Sequence, residues 1–569
     1  MDPADPGTPA PTPPVPGPPS DRPPLTGRPT SDIPASPAVP KGPRLARSAG
    51  VTGLATLTSR ILGLVRDQVL AALFGAGNEM DAFLVAFRIP NLVRDLFAEG
   101  AMSAAFVPTF TSYLTRRGRA DAWRLGNNVI NGLLLATGAI VVLGIVFAHP
   151  IVLALAGDFA SVPGKIALTT RLARVTLPFL IFVALAAAMM GMLNSLHHYF
   201  IPALSPAMFN VAVIACAIGL VPLMPAFGLP RIMAIAIGAM VGGLGQMALQ
   251  WPSLRREGYR YRPRLELRDP GLRQVLLLMG PGTIGLAAVQ VNLFVTTLLA
   301  TTQGTGAVSW LNYGYRLAHL PIGLFGVSIA TAVLPPVSRH AAQDHLPGVR
   351  ATVADGLGLM FMLNIPATFG LIALAPSIVA LIFQRGVFTA ADTAATAAAL
   401  RFYAIGLVGY STVRIVSPTF YALQRSRVPV AVSIGTIALN LALCISLLPW
   451  LGYRGLALGP SVAALANAGT LVWLLSRHLD GLEGRRLAGT LVRIVLASMM
   501  MGAAALATSW WLAALPIAPF GSRLLQVGGS IGVGLVVLLV AVRSLRIREF
   551  DLAMAILREK WRRTGARAA

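Results

Sequence analysis

The 569-residue chain has little of what most protein chemistry uses. Its two cysteines, Cys216 and Cys444, sit in apolar runs, where a cysteine is ordinarily a small hydrophobe, so no disulfide framework and no thiolate metal cluster is implied. His197 and His198 are adjacent but have no carboxylate beside them, too poor a set for a metal site. Lysine is nearly absent, being confined to Lys41, Lys165 and Lys560. The formal charge of +24 is therefore almost wholly arginine, a preference that codon usage alone explains and that by itself identifies no ligand. Charged residues of all kinds amount to 12%, against 55% hydrophobic residues and a mean hydropathy of +0.70. That balance excludes a soluble globular domain and indicates an all-α polytopic membrane protein.

What is present is a series of apolar stretches. Crossing about 30 Å of hydrocarbon takes roughly 20 helical residues. Stretches of that length fall near 48–73, 81–115, 125–156, 166–195, 201–222, 231–253, 272–300, 307–337, 353–383, 392–423, 429–449, 456–476, 487–514 and 522–545, which predicts 14 transmembrane helices. An even number places both termini on one side. The two juxtamembrane ends and the connections alternating with them hold 29 Lys and Arg; the seven opposite connections hold Lys165, Arg231, Arg385, Arg454 and Arg523. The positive-inside rule then puts both termini in the cytoplasm. The loop "RREGYRYRPRLELRDPGLR" has Tyr259 and Tyr261 between arginines, but it is short for a nucleic-acid module, and no nucleic-acid partner is expected. It reads as a topology determinant lying against anionic headgroups. Residues 1–45 hold sixteen prolines and no apolar core, so neither a signal peptide nor a helix is predicted there, but a disordered cytoplasmic tail.

An internal duplication runs through the series. Gly77 and Gly304, "AFVP" and "AVLP" ending at Pro108 and Pro335, and "LNSLHHYFIP" and "FYALQRSRVP" ending at Pro202 and Pro429 all superpose at one offset of 227. Six spans per half is even, so the halves enter the membrane in the same sense and are related by an axis along its normal. The predicted organisation is two parallel six-helix lobes, 46–255 and 256–480, two extra helices within 481–546, and a basic cytoplasmic tail, 547–569. Two such lobes enclose a cavity that opens to one side at a time.

Charges inside the spans are the exception that needs a reason. In "SRILGLVRDQVLAALFGAG", Arg60 and Asp67 share a helix face with Gly63 between them, and Arg66 lies about 100° round. Arg88, Arg94 and Asp95 repeat the spacing in the second span, where Pro90 interrupts the helix and Glu99 follows. Arginines outnumber the carboxylates near them. Arg316 lies ten residues into the eighth span, near Ser309 and Asn312. A guanidinium stays charged in any surroundings and presents a fork that fits two phosphate oxygens. The expectation is a cationic cavity for an anion, with Arg60 and Arg66 near mid-membrane. Arg88, Arg94 and Arg414 also fit structural or interfacial roles. His319 fits an interior histidine with a partner, and Gln290 and Asn292 fit hydrogen bonds across helices.

The stretches "SRILGLVRDQVLAALFGAG", "DAFLVAFRIPNLVRDLFAEGAMSAAFVP", "AVSWLNYGYRLAHLPIGLFGVSIATAVLP" and "QRGVFTAADTAAT" resemble the MurJ (MviN) lipid II flippases of the multidrug/oligosaccharidyl-lipid/polysaccharide exporter superfamily. The resemblance runs from about residue 48 to 545. It implies a multi-pass transporter of the bacterial inner membrane that moves undecaprenyl-diphosphate-linked peptidoglycan precursor to the periplasmic leaflet by alternating access. It also implies that substrate-binding arginines match Arg60, Arg66, Arg94 and Arg316, with acidic positions at Asp81 and Glu99 and a coupling ion or the membrane potential as drive. Spans 13 and 14 then help to form a groove for the lipid tail. The chain departs from some members at Tyr315 and His319, where these carry acidic residues. A drug or polysaccharide exporter of the superfamily would be expected to lack this arginine-rich first pair of spans. An enzyme on lipid-linked sugars needs a carboxylate pair or metal cluster at one membrane face, and no such set is in the sequence. An envelope-assembly scaffold would not require buried arginines.

Overall fold

A computed structural model describes residues 42–95, 102–263, 265–514 and 519–550. The chain divides into two compact units, residues 1–50 and 51–569. Of the first, only residues 42–50 are described, as the opening turns of a helix, so residues 42–45, expected in the disordered tail, are helical instead; residues 1–41 of that tail lie outside the described residues, as do Glu99 and the basic residues after 550.

Among the described residues regular structure is helical throughout. In chain order the helices are α1 (Gly42–Phe74), α2 (Asn78–Arg94), α3 (Met102–Arg116), α4 (Arg119–Val146), α5 (Ala148–Ala156), α6 (Lys165–Thr176), α7 (Phe179–Ser195), α8 (Phe200–Gly219), α9 (Met233–Arg256) and α10 (Pro270–Thr301). They continue as α11 (Ala307–Pro321), α12 (Val327–Ala342), α13 (Leu346–Phe383), α14 (Ala390–Ile405), α15 (Leu407–Ala422), α16 (Arg427–Leu451), α17 (Tyr453–His478), α18 (Gly484–Ala513) and α19 (Pro519–Ser544). Among the described residues, ten helices or joined helix pairs are long and apolar enough to cross a membrane. The apolar stretches outside that set are covered by α1, α2 with α3, α10, and α11 with α12. These are the segments that carry Arg60 and Arg66, Arg88 and Arg94, Gln290 and Asn292, and Arg316 and His319.

Local chemistry accounts for the breaks. Asp269 accepts the Leu272 amide at 3.0 Å with Pro270 in the first turn, which starts α10 sharply. Thr389 and Asp392 form a reciprocal capping box at the start of α14. Between α11 and α12, Pro321 removes a backbone donor and the chain passes through a π-helical turn, Ile322–Gly326.

The apolar core is joined at one end of the bundle and divided at the other. One cluster holds Leu70, Phe74, Val85, Leu155 and Ile232 together with Tyr313, Phe383, Phe388 and Leu400, so it draws on both halves of the chain. At the opposite end, Phe106, Phe110, Leu125, Met192 and Leu254 form one cluster, and Val353, Leu357, Val416, Phe420 and Leu475 form another. The first of these also takes Leu272, Val275 and Met279 from α10. The arginine-rich connections lie at this divided end. A further cluster ties α18 and α19 to α13 through Ile494, Met501, Leu538 and Met362.

Helices in lipid gain little from hydrophobic contact with one another and rely on close packing of small residues. A Cβ on Gly409 of α15 would lie 2.6 Å from the Ala464 carbonyl carbon of α17, a main-chain atom that cannot swing aside. Gly409→Ala is expected to cost about 1–3 kcal/mol, an overpacking penalty, and to lower the thermal unfolding temperature of the detergent-purified protein.

The connection between α9 and α10 ties both of its tyrosines to α4, although Tyr261 keeps an exposed ring. Tyr259 is buried, and its hydroxyl donates to Asn127 Oδ1 at 2.8 Å; Tyr261 donates to Asn131 Oδ1 at 2.7 Å. Asn127 and Asn131, one turn apart on α4, donate to the carbonyls of Arg260 and Arg262 at 3.0 and 2.8 Å. Burial pushes the Tyr259 phenol upward in pKa, so it remains a donor at neutral pH.

Candidate anion site at the helix seam

The charged face of α1 is built around one carboxylate. Asp67 Oδ1 accepts from Arg66 Nε at 3.1 Å and Nη2 at 2.7 Å, a pairing of neighbours on the same helix. Arg316 of α11 reaches across from the second half of the sequence, its Nη1 2.8 Å from Asp67 Oδ1 and 2.6 Å from Oδ2. Two guanidinium groups from opposite halves thus share one carboxylate. Arg66 is further fixed by Asn210 of α8, whose Oδ1 accepts from Nη1 at 3.0 Å and whose amide donates to the Ser59 carbonyl at 3.0 Å. The Phe209 ring lies 5.5 Å below it. Asn312, one turn back on α11, accepts from Arg316 Nε at 3.1 Å.

The members of the triad differ in what they leave open. Asp67 and Arg66 are nearly enclosed, at 8% and 11% side-chain exposure, whereas Arg316 is 41% exposed. Arg60 is exposed as well, and its guanidinium fills the space beside Gly323 in the π-helical turn, which a Cβ at that position would occupy. Arg60, Arg66 and Arg316 are therefore brought to the single seam between α1 and the α11 segment. Three guanidiniums and one carboxylate leave the seam with a net charge of two positive units.

Asp81 and Ser309 meet at a second point on that seam. Asp81 of α2 is fully buried and accepts from the Gly306 amide at 2.7 Å, the Ser309 amide at 3.1 Å and the Ser309 hydroxyl at 2.7 Å. It thereby caps the N-terminus of α11 from another helix, where the orphan amides and the helix dipole favour a negative charge. Gly306 permits this because its φ is +95° and any Cβ would strike Trp310 and the Ala76 carbonyl. Nearby, Thr305 Oγ1 donates to Asn78 Oδ1 at 2.8 Å, and Val387 N donates to the Ala72 carbonyl at 2.9 Å.

Sequence reasoning missed Lys165. Its ammonium is 2% exposed, lies 3.2 Å from Asp81 Oδ2 and sits 3.9 Å from the centroid of Phe159. A signal existed, because in a chain that uses arginine almost everywhere a lysine facing the arginine-poor side is an anomaly. The count of connection charges takes it only as a loop charge.

Arg94 repeats the neighbour pairing of Arg66, its Nη2 2.8 Å from Asp95 Oδ1, both side chains a little over a quarter exposed. Asp95 in turn accepts from Gln290 of α10 at 3.4 Å. Arg94 stands apart from the α1–α11 triad, with its own partner. Asn292 Oδ1 accepts from Asn440 of α16 at 2.7 Å, a bond across helices. Among the described residues the buried Nε of Arg88 has no hydrogen-bond partner, and Arg414 is exposed. His198 pairs with Glu257 at 2.9 Å, and among the described residues no group of His, Cys, Asp and Glu could hold a metal ion.

The sequence and the fold are similar to those of known proteins. The family model described as lipid II flippase MurJ matches residues 70–518. A probable lipid II flippase MurJ of Vibrio cholerae is 34% identical over 524 residues, covering 90% of this chain and 98% of that protein. The lipid II flippase MurJ of Burkholderia cenocepacia is 34% identical over 417 residues, 73% of this chain and 80% of its own length. Among solved structures, a lipid II flippase MurJ in an inward closed conformation superposes with a TM-score of 0.71 at 27% identity, covering 87% of this chain and 99% of that one. An inward-facing MATE family transporter of the MOP superfamily shares the fold, with a TM-score of 0.63 at 14% identity over 77% of this chain and 99% of its own. With a family model matched over residues 70–518 and a relative 34% identical covered over nearly its whole length, the chain belongs to the MurJ lipid II flippase family.

Proposed function

We propose that this chain is a lipid II flippase of the bacterial inner membrane, carrying the polyprenyl-diphosphate-linked peptidoglycan precursor from the cytoplasmic to the periplasmic leaflet. The observation that carries the reading is the sharing of Asp67 by Arg66 and Arg316 from opposite halves of the chain. A lipid diphosphate esterified at both ends bears two negative charges, which the net charge of the seam would neutralise. The headgroup then crosses in a wet basic cavity while the tail stays in lipid.

The proposal includes 14 spans arranged as two parallel lobes, 46–255 and 256–480, with the two helices within 481–546 as an appendage beside the tail path. The bond between Asn78 and Thr305 supports it, since these positions stand at the duplication offset of 227 and equivalent residues of a two-fold pair touch only near the axis. With the arginine-rich end and both termini in the cytoplasm, the joined core lies on the periplasmic side and the divided end faces the supply of substrate. Diphosphate entering from the cytoplasm meets the exposed faces of Arg60 and Arg316 and competes with Asp67 for them. Lobe closure around it and release of the Asp81 cap would open the periplasmic side. Return of the emptied, positively charged site is favoured by the membrane potential, at about 2.3 kcal/mol per charge per 100 mV.

The test is reconstitution of the purified chain in vesicles carrying the precursor in one leaflet, with arrival in the other read by an impermeant modifying reagent. Accelerated arrival over protein-free vesicles is expected. Arrival at the protein-free rate sinks the proposal.

A further inference from the structure

Beside Arg316 the seam changes character from charge to aromatic rings. Tyr315 is 45% exposed although it lies within α11. One face of its ring is covered by His319, with centroids 3.8 Å apart and planes 31° from parallel. Tyr403 meets it edge-on at 5.5 Å and 81°, and Tyr410 closes the group at 5.3 Å from His319. His319 is held in place through Nδ1, 2.9 Å from the Tyr315 carbonyl. The result is a supported ring that stays nearly half exposed. Arg88 of α2, from the other half of the chain, lies within electrostatic range of Tyr315 and Tyr403. The buried Nε of Arg88, without a partner among the described residues, is a donor in want of an acceptor.

We propose that Tyr315, backed by His319 and flanked by Arg88, is a saccharide subsite that receives the first sugar of the headgroup while Arg60, Arg66 and Arg316 hold the diphosphate. The inference rests on the flippase reading and adds a second recognition element to it. The chemistry of the substrate fixes the spacing: the first sugar hangs from the diphosphate by a single oxygen. Tyr315 adjoins Arg316 in sequence, their Cα atoms about 3.8 Å apart. The axial hydrogens of a pyranose form an apolar face that packs on an aromatic ring, and the acetamido and hydroxyl groups around its rim accept hydrogen bonds of the kind Arg88 Nε lacks. Where the resembling family has members with an acid beside the arginine, this chain has a ring; Arg316 takes its carboxylate from Asp67 instead.

The experiment uses the full chain in lipid nanodiscs and two probes. One is a polyprenyl diphosphate bearing the disaccharide, the other the same lipid capped by a methyl group, which keeps both negative charges. The wild type is expected to bind the first about tenfold more tightly, the scale of one good ring contact with its hydrogen bond. Tyr315→Leu should bring the two affinities together by weakening the disaccharide probe alone, Arg88→Gln should do the same in part, and Tyr315→Phe should keep most of the preference. A Tyr315→Leu protein that weakens both probes equally, or retains the preference, overturns the subsite. Equal binding of the two probes by the wild type removes the subsite and leaves the diphosphate reading standing; binding of neither removes both.

Discussion

A protein with glutamine in place of Arg316 should insert and fold as the wild type does and yet translocate no diphosphate lipid. Arg316 is 41% exposed, so its ion pair with Asp67 is screened and its removal costs the fold little, while Arg66 continues to neutralise Asp67 from the same helix. What disappears is the bridge between the halves and one of the two net positive charges at the seam. Arg66→Gln should fail in the same way but with a larger stability loss, because Asn210 and Phe209 lose their partner as well. Asp67→Asn supplies the opposite test. It raises the net charge to three and removes the competitor for both guanidiniums, so substrate should bind more tightly and leave more slowly, with flux falling as affinity rises. Leaflet-resolved flux and equilibrium binding on the three variants check this, and wild-type flux from an Arg66→Gln/Arg316→Gln double variant would refute the assignment of these arginines.

The second large effect is expected at Asp81. Its replacement by alanine leaves the Lys165 ammonium buried against Phe159 without a counter-charge and strips the α11 N-terminus of its cap. Breaking a buried ion pair from one side typically costs about 3–5 kcal/mol. The cost falls on the closed arrangement of this end, so it is expected as a shift of population toward a form open there as well as a lower unfolding temperature. A cysteine introduced at Ala307, which is fully buried in the first turn of α11 beside the cap, reports the opening by its rate of labelling with a polar maleimide, the native Cys216 and Cys444 being buried. Asp81→Ala should raise that rate steeply, and adding Lys165→Met should restore part of the unfolding temperature by removing the stranded charge. If Asp81→Ala labels at the wild-type rate, the contact is no gate.

How far the sequence alone carries this picture depends on whether a residue acts within its own helix or across to another. Arg60, Arg66 and Arg316 stand out because their apolar flanks place them deep, and all three do reach one seam. The duplication offset pairs position 78 with 305, the two residues that touch. Asp67 looked like a partner for its own helix, and it is one; its second bond, to a residue 249 positions away, has no local signature. Asp81 and Ser309 were named without the reason for their meeting, a cap supplied from a distant helix. Lys165 was passed over because loop charges were read for topology and not for burial. The asparagines that hold Tyr259 and Tyr261 recur at the interval of one helical turn in α4, a pattern that was legible and went unused. Among the described residues ten helices or joined helix pairs pass as spans by length and apolarity.

The pairing of Arg66 with the residue that follows it has a bearing on biogenesis. Arg66–Asp67 and Arg94–Asp95 are each compensated by the very next amino acid, so either dipeptide can leave the ribosome and enter the bilayer already neutral, before any later segment exists. Arg316 has no such neighbour and depends on a carboxylate made some 250 residues earlier, which is waiting when α11 emerges. Vectorial synthesis thus delivers the acceptor ahead of the guest. A circular permutant that begins at α10 would reverse the order, presenting Arg316 to the insertion machinery with its counterion still untranslated.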